Sequence, residues 1–352
     1  LAKELEQEGN IVSLVRVLDR REDPSPSRIP VIGQLIASEP DTIDSSVRVL
    51  NQCDVVIIQH EYGLYGGADG QDVLKVMHKL RAPTIVVLHT VLSSPTQHQR
   101  EVLNDVLCSV DVAVVMTESA ARTLQEGFEV GDTPVCVIPH GATVVANLRR
   151  RRDVLRPTAL TWGLLGPGKG IEWVIDSLVG LKELVPTPLY IVAGRTHPKV
   201  LARDGEQYRQ GLAQRALDLG VSHMVHFDNT YRDLLSLTSL IETADVVVLP
   251  YDSKDQATSG VLVDAIAAGK PVIATRFPHA VEQLGSGAGI LVHRKDSDAL
   301  GAALTEFFSN SVLAEQMARE ARRLALGLSW ECVGRQYAGL NELLFGRIDV
   351  PE

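Results

Sequence analysis

The sequence predicts an α/β protein built from two doubly wound, parallel-sheet domains, and three observations predict it. Short β-branched runs alternate with amphipathic stretches along the whole chain, the rhythm of repeated strand–helix units. Runs such as DVVIIQ, TIVVL, DVAVVM and DVVVL are almost wholly apolar, as strands covered on both faces are. The 352 residues, 45% of them apolar, suffice for two cores. A net charge of −10 argues against wholesale nucleic-acid binding. Cys53, Cys108, Cys136 and Cys332 show no C-x-x-C spacing, and two lie beside or within apolar runs. They read as buried free thiols in a reducing cytosol. No apolar run approaches about 18 residues and no signal peptide is visible, so a cytoplasmic location is expected.

The chain opens inside a helix, Leu1 to Glu8, ending at Gly9. A domain of this kind normally begins with a strand and a glycine-rich turn ahead of its first helix. Neither precedes Leu1, so the N-terminus reads as incomplete. Ile11 to Leu18 is a β-branched strand. Arg20 to Asp44 is polar and proline-rich, with one apolar patch, VIGQLI, and reads as a loop. A short helix covers Ser45 to Asn51. The strand Asp54 to Gln59 delivers His60 and Glu61 at its C-terminal end. Gln71 to Leu80 is helical, and the strand Thr84 to Leu88 delivers His89. Helix Gln97 to Cys108 and strand Asp111 to Met116 follow, then a helix that Thr117 can cap. Val135 to Ile138 delivers His140. Ligands of such sheets collect at strand C-terminal ends, where His60, Glu61, His89 and His140 all stand. Metal ligation is the rival reading, but no His-x-His or His-x-x-x-His pair supports it.

A linker is expected at 147–158, between domains at 1–146 and 159–329. Arg149, Arg150, Arg151 and Arg152 lie in it. The run reads first as a solvated linker, and second as a weak peripheral contact with anionic lipid at the inner face of the membrane. In the second domain a strand, TALTWGLL, runs into the turn GPGKG with Gly168 and Lys169. Glycines there allow close backbone approach, and the lysine offers a point charge for phosphate. The turn has neither P-loop spacing nor a full G-x-G-x-x-G, which counts against a dehydrogenase. After helix Ile171 to Leu184 comes the strand LYIVAG, which delivers Arg195. Helices are expected at Gln207 to Leu219, Tyr231 to Thr243, Asp296 to Phe308, Val312 to Leu326 and Trp330 to Phe345. Strands are expected at Met224 to Phe227, Asp245 to Leu249, Val272 to Ala274 and Gly289 to Val292. The sharpest feature is QATSGVLVDAIAAGKPVIAT, Gln256 to Thr275. Thr258 or Ser259 can cap its small-residue helix. The amides around Ser259, Gly260 and Val261 have no partner within the helix and form an anion site. Asp264 lies about one turn further in.

That stretch resembles the donor-binding segment of retaining nucleotide-sugar glycosyltransferases with two Rossmann-like domains facing across a cleft, the GT-B type, family four. The family usually carries two glutamates separated by seven residues, where this chain has Gln256 and Asp264. The later part, A-x-A-A-G-x-P-V-I-A, matches closely. The glycine-rich loop also has a family counterpart, commonly with an arginine upstream of the lysine. Leu164 or Leu165 stands there, and Arg195 is a candidate replacement. QHEYG, LHT and IPHG resemble a branch of the same family. The resemblance implies that His89 faces the transferred sugar, that Glu61 lies on the acceptor side with His60 and His140, and that the final helix (330–352) packs back on the first domain. It implies retaining hexosyl transfer from a nucleotide diphosphate sugar to an acceptor, without a metal or other cofactor. Lys169 and the amides would stabilise the departing diphosphate, Asp264 would accept ribose hydroxyls, and Gln256 would contact the sugar. Glutamine keeps hydrogen bonds to hydroxyls but brings no negative charge. A nucleotide-sugar epimerase, or a binding protein that has lost catalysis, is the alternative. The base, sugar and acceptor do not follow from these residues.

Overall fold

The computed structural model describes residues 1–19, 27–36, 39–144, 156–253 and 258–346. The linker arginines and Gln256 lie outside them. The chain divides into two compact units, Leu1–Gly141 with Trp330–Glu352, and Ala142–Ser329.

Unit 1 runs α1 (Ala2–Gln7), β1 (Leu14–Leu18), β2 (Val31–Ile36), α2 (Asp41–Leu50), β3 (Val56–His60), α3 (Val73–Met77), β4 (Thr84–Leu88), α4 (Gln97–Leu107), β5 (Val112–Val115), α5 (Glu118–Gly127) and β6 (Val135–Val137). Unit 2 runs β7 (Thr158–Trp162), α6 (Ile171–Ser177), β8 (Leu189–Ala193), α7 (Pro198–Asp204), α8 (Gln207–Asp218), β9 (Val225–Asp228), α9 (Leu234–Thr243), β10 (Val246–Leu249), α10 (Gly260–Ala267), β11 (Val272–Thr275), α11 (Pro278–Leu284), β12 (Gly289–Val292), α12 (Ser297–Ser309) and α13 (Ser311–Ala325). The chain then returns to unit 1 as α14 (Trp330–Gly346), which packs against α1 and places Val333 and Tyr337 on the core of β4 and β5.

Every named strand pairing is parallel. The unit 2 sheet has the order β12-β11-β10-β7-β8-β9, the doubly wound order in which the first strand sits beside the fourth. Its central strands β7 and β10 are buried along their whole length, with α6 and α12 on one face and α10 on the other. That double cover is why their sequences are continuous rather than alternating. Unit 1 has a four-stranded sheet, β3-β4-β5-β6, and a separate pair, β1-β2.

The units share a local device. Asp111 and Asp245 each stand just before a strand, and their carboxylates accept the backbone N–H of Thr84 and Thr158, at 2.8 and 2.9 Å. Each aspartate thus ties the start of its strand to the start of a neighbour, which is why both strands read Asp-Val.

The structure corrects several expectations. VIGQLI is a strand rather than a loop, in parallel register with β1 from Leu14↔Val31 to Leu18↔Ile36. Proline-rich flanks hid it. Helix α2 starts at Asp41, and α9 starts at Leu234 with Asp233 capping it, so Tyr231 is not helical. The short helices α7 and α11 were not expected; each carries proline in its first turn, where the missing N–H costs nothing. The cysteines are not buried: Cys108 is exposed and the other three are half-buried.

Beneath β7 a polar pair sits in the core. The buried Thr161 hydroxyl donates to the Val248 carbonyl at 2.6 Å and accepts from the Tyr190 hydroxyl at 2.9 Å. Thr161→Val leaves the fully buried Tyr190 hydroxyl unsatisfied, which is expected to cost about 1–3 kcal/mol. Adding Tyr190→Phe is expected to recover part of that loss. Urea unfolding of the single and double variants checks it, and additive losses would contradict the coupling.

Candidate functional site

In a doubly wound sheet, ligands gather at the strand C-terminal ends where the order reverses. In unit 2 that point lies between β7 and β10, and both strands deliver chemistry to it. After β7 comes the glycine-rich loop. Gly170 has φ +69°, and a Cβ there would stand 1.8 Å from the Pro250 carbonyl oxygen, so only glycine lets the loop reach the end of β10. The Gly168 carbonyl accepts the Asp252 N–H at 3.0 Å, and Trp173 Nε1 donates to the Asp252 carboxylate at 3.1 Å. Lys169 is held in this way above the Tyr251 ring, with Nζ 4.6 Å from its centroid, a cation–π contact worth about 0.5–2 kcal/mol. Burial pushes its pKa below the usual lysine value.

The other half of the site is the start of α10. Ser259 is the N-cap, and its hydroxyl accepts the Leu262 N–H at 3.3 Å. The Ser259 N–H is itself donated to Nδ1 of the buried His279 at 2.8 Å, so the Nδ1 of this imidazole carries a lone pair and its proton sits on Nε2. The Tyr251 hydroxyl also bonds to the Ser259 side chain, and burial raises its pKa to about 12. Tyr251 therefore touches both the lysine and the cap. Among the described residues the N–H groups of Gly260 and Val261 have no partner within the helix, and the Ser259 N–H, which the sequence counted with them, is taken by His279. Thr258, Gly260, Val261 and Asp264 are half-buried.

Arg195 follows β8. It is exposed, and its guanidinium lies 5.5 Å from the Tyr231 ring centroid. Both line a cavity of about 720 Å³ with Leu164, Thr196, Asn229 and Arg209. Arg209 donates to the Gly194 carbonyl, and its Nη1 is buried with no hydrogen-bond partner among the described residues. The sequence did not point to Arg209, Trp173 or His279. Arg209 lies on helix α8 and His279 just inside the short helix α11, neither at a strand end. Tyr251 and Asp252 stand where the sequence reading places them, directly after the apolar strand β10.

Unit 1 brings its strand-end residues together as well. His89 Nε2 is 2.8 Å from the Gln59 side-chain oxygen, and the Thr90 hydroxyl donates to Glu61 at 2.5 Å. The second Glu61 oxygen accepts the Tyr62 N–H at 3.0 Å. His140 packs on Trp330, with ring centroids 5.8 Å apart, and its Nδ1 is 2.8 Å from the Gly141 carbonyl. Burial, with the neighbouring His140 second, lowers the pKa of His89, while Glu61 opposes the shift. His60 is fully buried, and burial followed by the nearby His89 lowers its pKa to about 4. It is therefore neutral at pH 7, with both ring nitrogens unpartnered among the described residues. As placed, it supports the cluster from beneath, while His89, Glu61 and His140 are half-exposed. Among the described residues no group of three or more His, Cys, Asp or Glu is arranged to hold a metal ion, and no helix is long and apolar enough to cross a membrane.

Residues 150–324 match the family model of glycosyl transferases group 1. The chain is 27% identical over 251 residues to D-inositol 3-phosphate glycosyltransferase of Corynebacterium urealyticum, covering 67% of this chain and 57% of that protein. It is 29% identical over 180 residues to phosphatidyl-myo-inositol mannosyltransferase of Mycobacterium leprae, covering 50% and 43%. The chain thus spans about half the length of the curated relatives it matches. Among solved structures, sucrose-phosphate synthase from Thermosynechococcus elongatus superposes with a TM-score of 0.78 at 18% identity, covering 98% of this chain and 92% of that one. HepE of Anabaena, in complex with UDP-glucose, gives 0.70 at 19% identity, covering 90% and 86%. Those likenesses show the architecture as two Rossmann-like domains of the GT-B type, and residues 150–324 are similar to the glycosyl transferases of group 1.

Proposed function

We propose that the chain transfers a sugar from a nucleotide diphosphate sugar to an acceptor hydroxyl with retention of configuration, unit 2 holding the donor. One observation carries the reading: Lys169 and the open mouth of α10 are brought together at the switch point of the unit 2 sheet, and Tyr251 touches both. Breaking the bond between the anomeric carbon and the diphosphate oxygen leaves negative charge on the diphosphate, while the acceptor oxygen forms the new bond to that carbon and its hydroxyl proton passes to the departing diphosphate oxygen. Lys169 and the N–H groups of Gly260 and Val261 are fixed donors for the developing charge, and preorganised donors are a large term in catalysis. Asp264, one turn inside the helix, accepts the ribose hydroxyls. Gln256 contacts the sugar hydroxyls in this reading. Lys169 and the amides supply positive potential without calling on a metal. In unit 1, Glu61, His89 and His140 present the acceptor-side groups. HepE binds UDP-glucose, so uridine nucleotides are the first donors to test.

A thermal-shift panel of nucleotide sugars, followed by turnover with candidate acceptors, tests the proposal. Binding by none of them, or binding unchanged by Lys169→Ala and Asp264→Ala, would overturn it. Lys169→Ala is expected to lower kcat/KM about 100-fold or more, in line with loss of one fixed donor to a developing oxyanion. The ammonium is charged only below its pKa, and burial lowers that pKa. Activity is therefore expected to fall on the alkaline side at a pH below the usual lysine value of about 10.4. Lys169→Arg stays charged throughout and should lose that alkaline limb; a pH–rate profile of the two proteins checks it. His279 acts through Ser259 and is a positioning residue. His279→Ala is expected to cost about tenfold in kcat/KM, or ~1.4 kcal/mol. His279→Asn should recover part of it, because its side-chain oxygen can accept the same N–H. No recovery would mean that His279 serves packing alone.

A further inference from the structure

In unit 1, Glu61 follows β3, His89 and Thr90 follow β4, and His140 stands beyond β6. Each side-chain proton of these four residues is already donated within the protein. The His89 ring gives its Nε2 proton to the Gln59 side-chain oxygen, 2.8 Å away. That oxygen only accepts, so the lone pair of the neutral ring sits on Nδ1. His140 gives its Nδ1 proton to the Gly141 carbonyl at 2.8 Å, which leaves the lone pair of its neutral ring on Nε2. Thr90 donates to one Glu61 oxygen at 2.5 Å, and the Tyr62 N–H donates to the other at 3.0 Å. His89 Nδ1 and His140 Nε2 have no hydrogen-bond partner among the described residues. Unlike the enclosed ring nitrogens of His60, they are open to solvent.

These groups form one cluster. Glu61 and His140 both lie close enough to His89 to act on its protonation, and among the described residues no lysine or arginine does. Arg100 acts on the neighbouring Tyr62, but its guanidinium is engaged by the Gly127 carbonyl and the face of Phe128. What faces outward is therefore a set of lone pairs and one carboxylate. Hydroxyl groups donate and suit such a surface. The oxygens of a phosphate or carboxylate accept, and their charge has the wrong sign beside Glu61. Both Glu61 oxygens already hold a hydrogen bond, so the carboxylate is better placed to orient a hydroxyl than to neutralise a full positive charge.

We propose, on the reading that these strand ends form the acceptor side, that unit 1 takes an uncharged polyol or sugar as acceptor. Its hydroxyls donate to Glu61, His89 Nδ1 and His140 Nε2, and acceptors that carry phosphate or carboxylate at this point are rejected. Gln59 is a positioning residue in this arrangement, because it fixes which nitrogen of His89 faces the acceptor.

Paired acceptors test the proposal: glucose with glucose phosphate, glycerol with glycerol phosphate, and glucose with gluconate, each given with a nucleotide sugar that the protein binds. The wild-type kcat/KM is expected to favour the uncharged member of each pair about tenfold or more. Raising the salt concentration should weaken that preference, since exposed charges are screened. Glu61→Gln removes the charge but keeps an accepting oxygen, so it should slow transfer to the uncharged acceptors and shrink the preference. If that variant does not fold, the wild-type ratios and their salt dependence decide. A preference for the charged member, or one that neither salt nor Glu61→Gln reduces, overturns the proposal and leaves sugar transfer standing. Transfer to no member of any pair, from any nucleotide sugar, overturns both.

Discussion

The candidate site of unit 2 depends on one close approach, that of the Gly168–Gly170 turn to the end of β10. Gly170 can take a positive φ and lies where any side chain would overlap the Pro250 carbonyl. The hydrogen bond from Asp252 to Gly168 then locks turn and strand end together. Everything chemical in unit 2 follows from that contact. It fixes Lys169 over Tyr251, and Tyr251 reaches the cap of α10. The cation and the helix cap are therefore linked through one side chain, Tyr251. Burial depresses the Lys169 pKa, and the low local dielectric that does so would also strengthen its attraction to any anion it faces.

His279 adds a restraint that backbone geometry alone does not supply. A helix N-terminus is a fan of N–H groups, and a loop before it can drift. By accepting the Ser259 N–H, the buried imidazole ties the cap of α10 to α11.

Much of the fold could be read from the chain because both sheets are parallel and doubly covered. Such strands are apolar along their length, so DVAVVM and DVVVL announce themselves, and the aspartates that begin them turned out to hold neighbouring strands in register. VIGQLI failed because its glycine and proline-rich setting resemble a loop, while pairing with β1 overrides local preference. The site was legible where it is local in sequence: Ser259 as a cap, Lys169 among glycines, Asp264 on the helix. It was not legible where partners meet across the fold. Nothing in the sequence brings Tyr251 to Lys169, His279 to Ser259, or Arg209 to the cavity beside Arg195. His60, read with the other strand-end residues, proved buried, because the period-2 alternation of β3 turns it inward.

The central claim is that Lys169 and the start of α10 together hold a diphosphate. A crystal structure of the protein with a bound nucleoside diphosphate tests it most directly. The account predicts the β-phosphate within hydrogen-bond distance of the Gly260 and Val261 amides and of Lys169 Nζ, with the ribose beside Asp264. A diphosphate seated elsewhere, or a mouth of α10 filled by protein side chains in the complex, would contradict it.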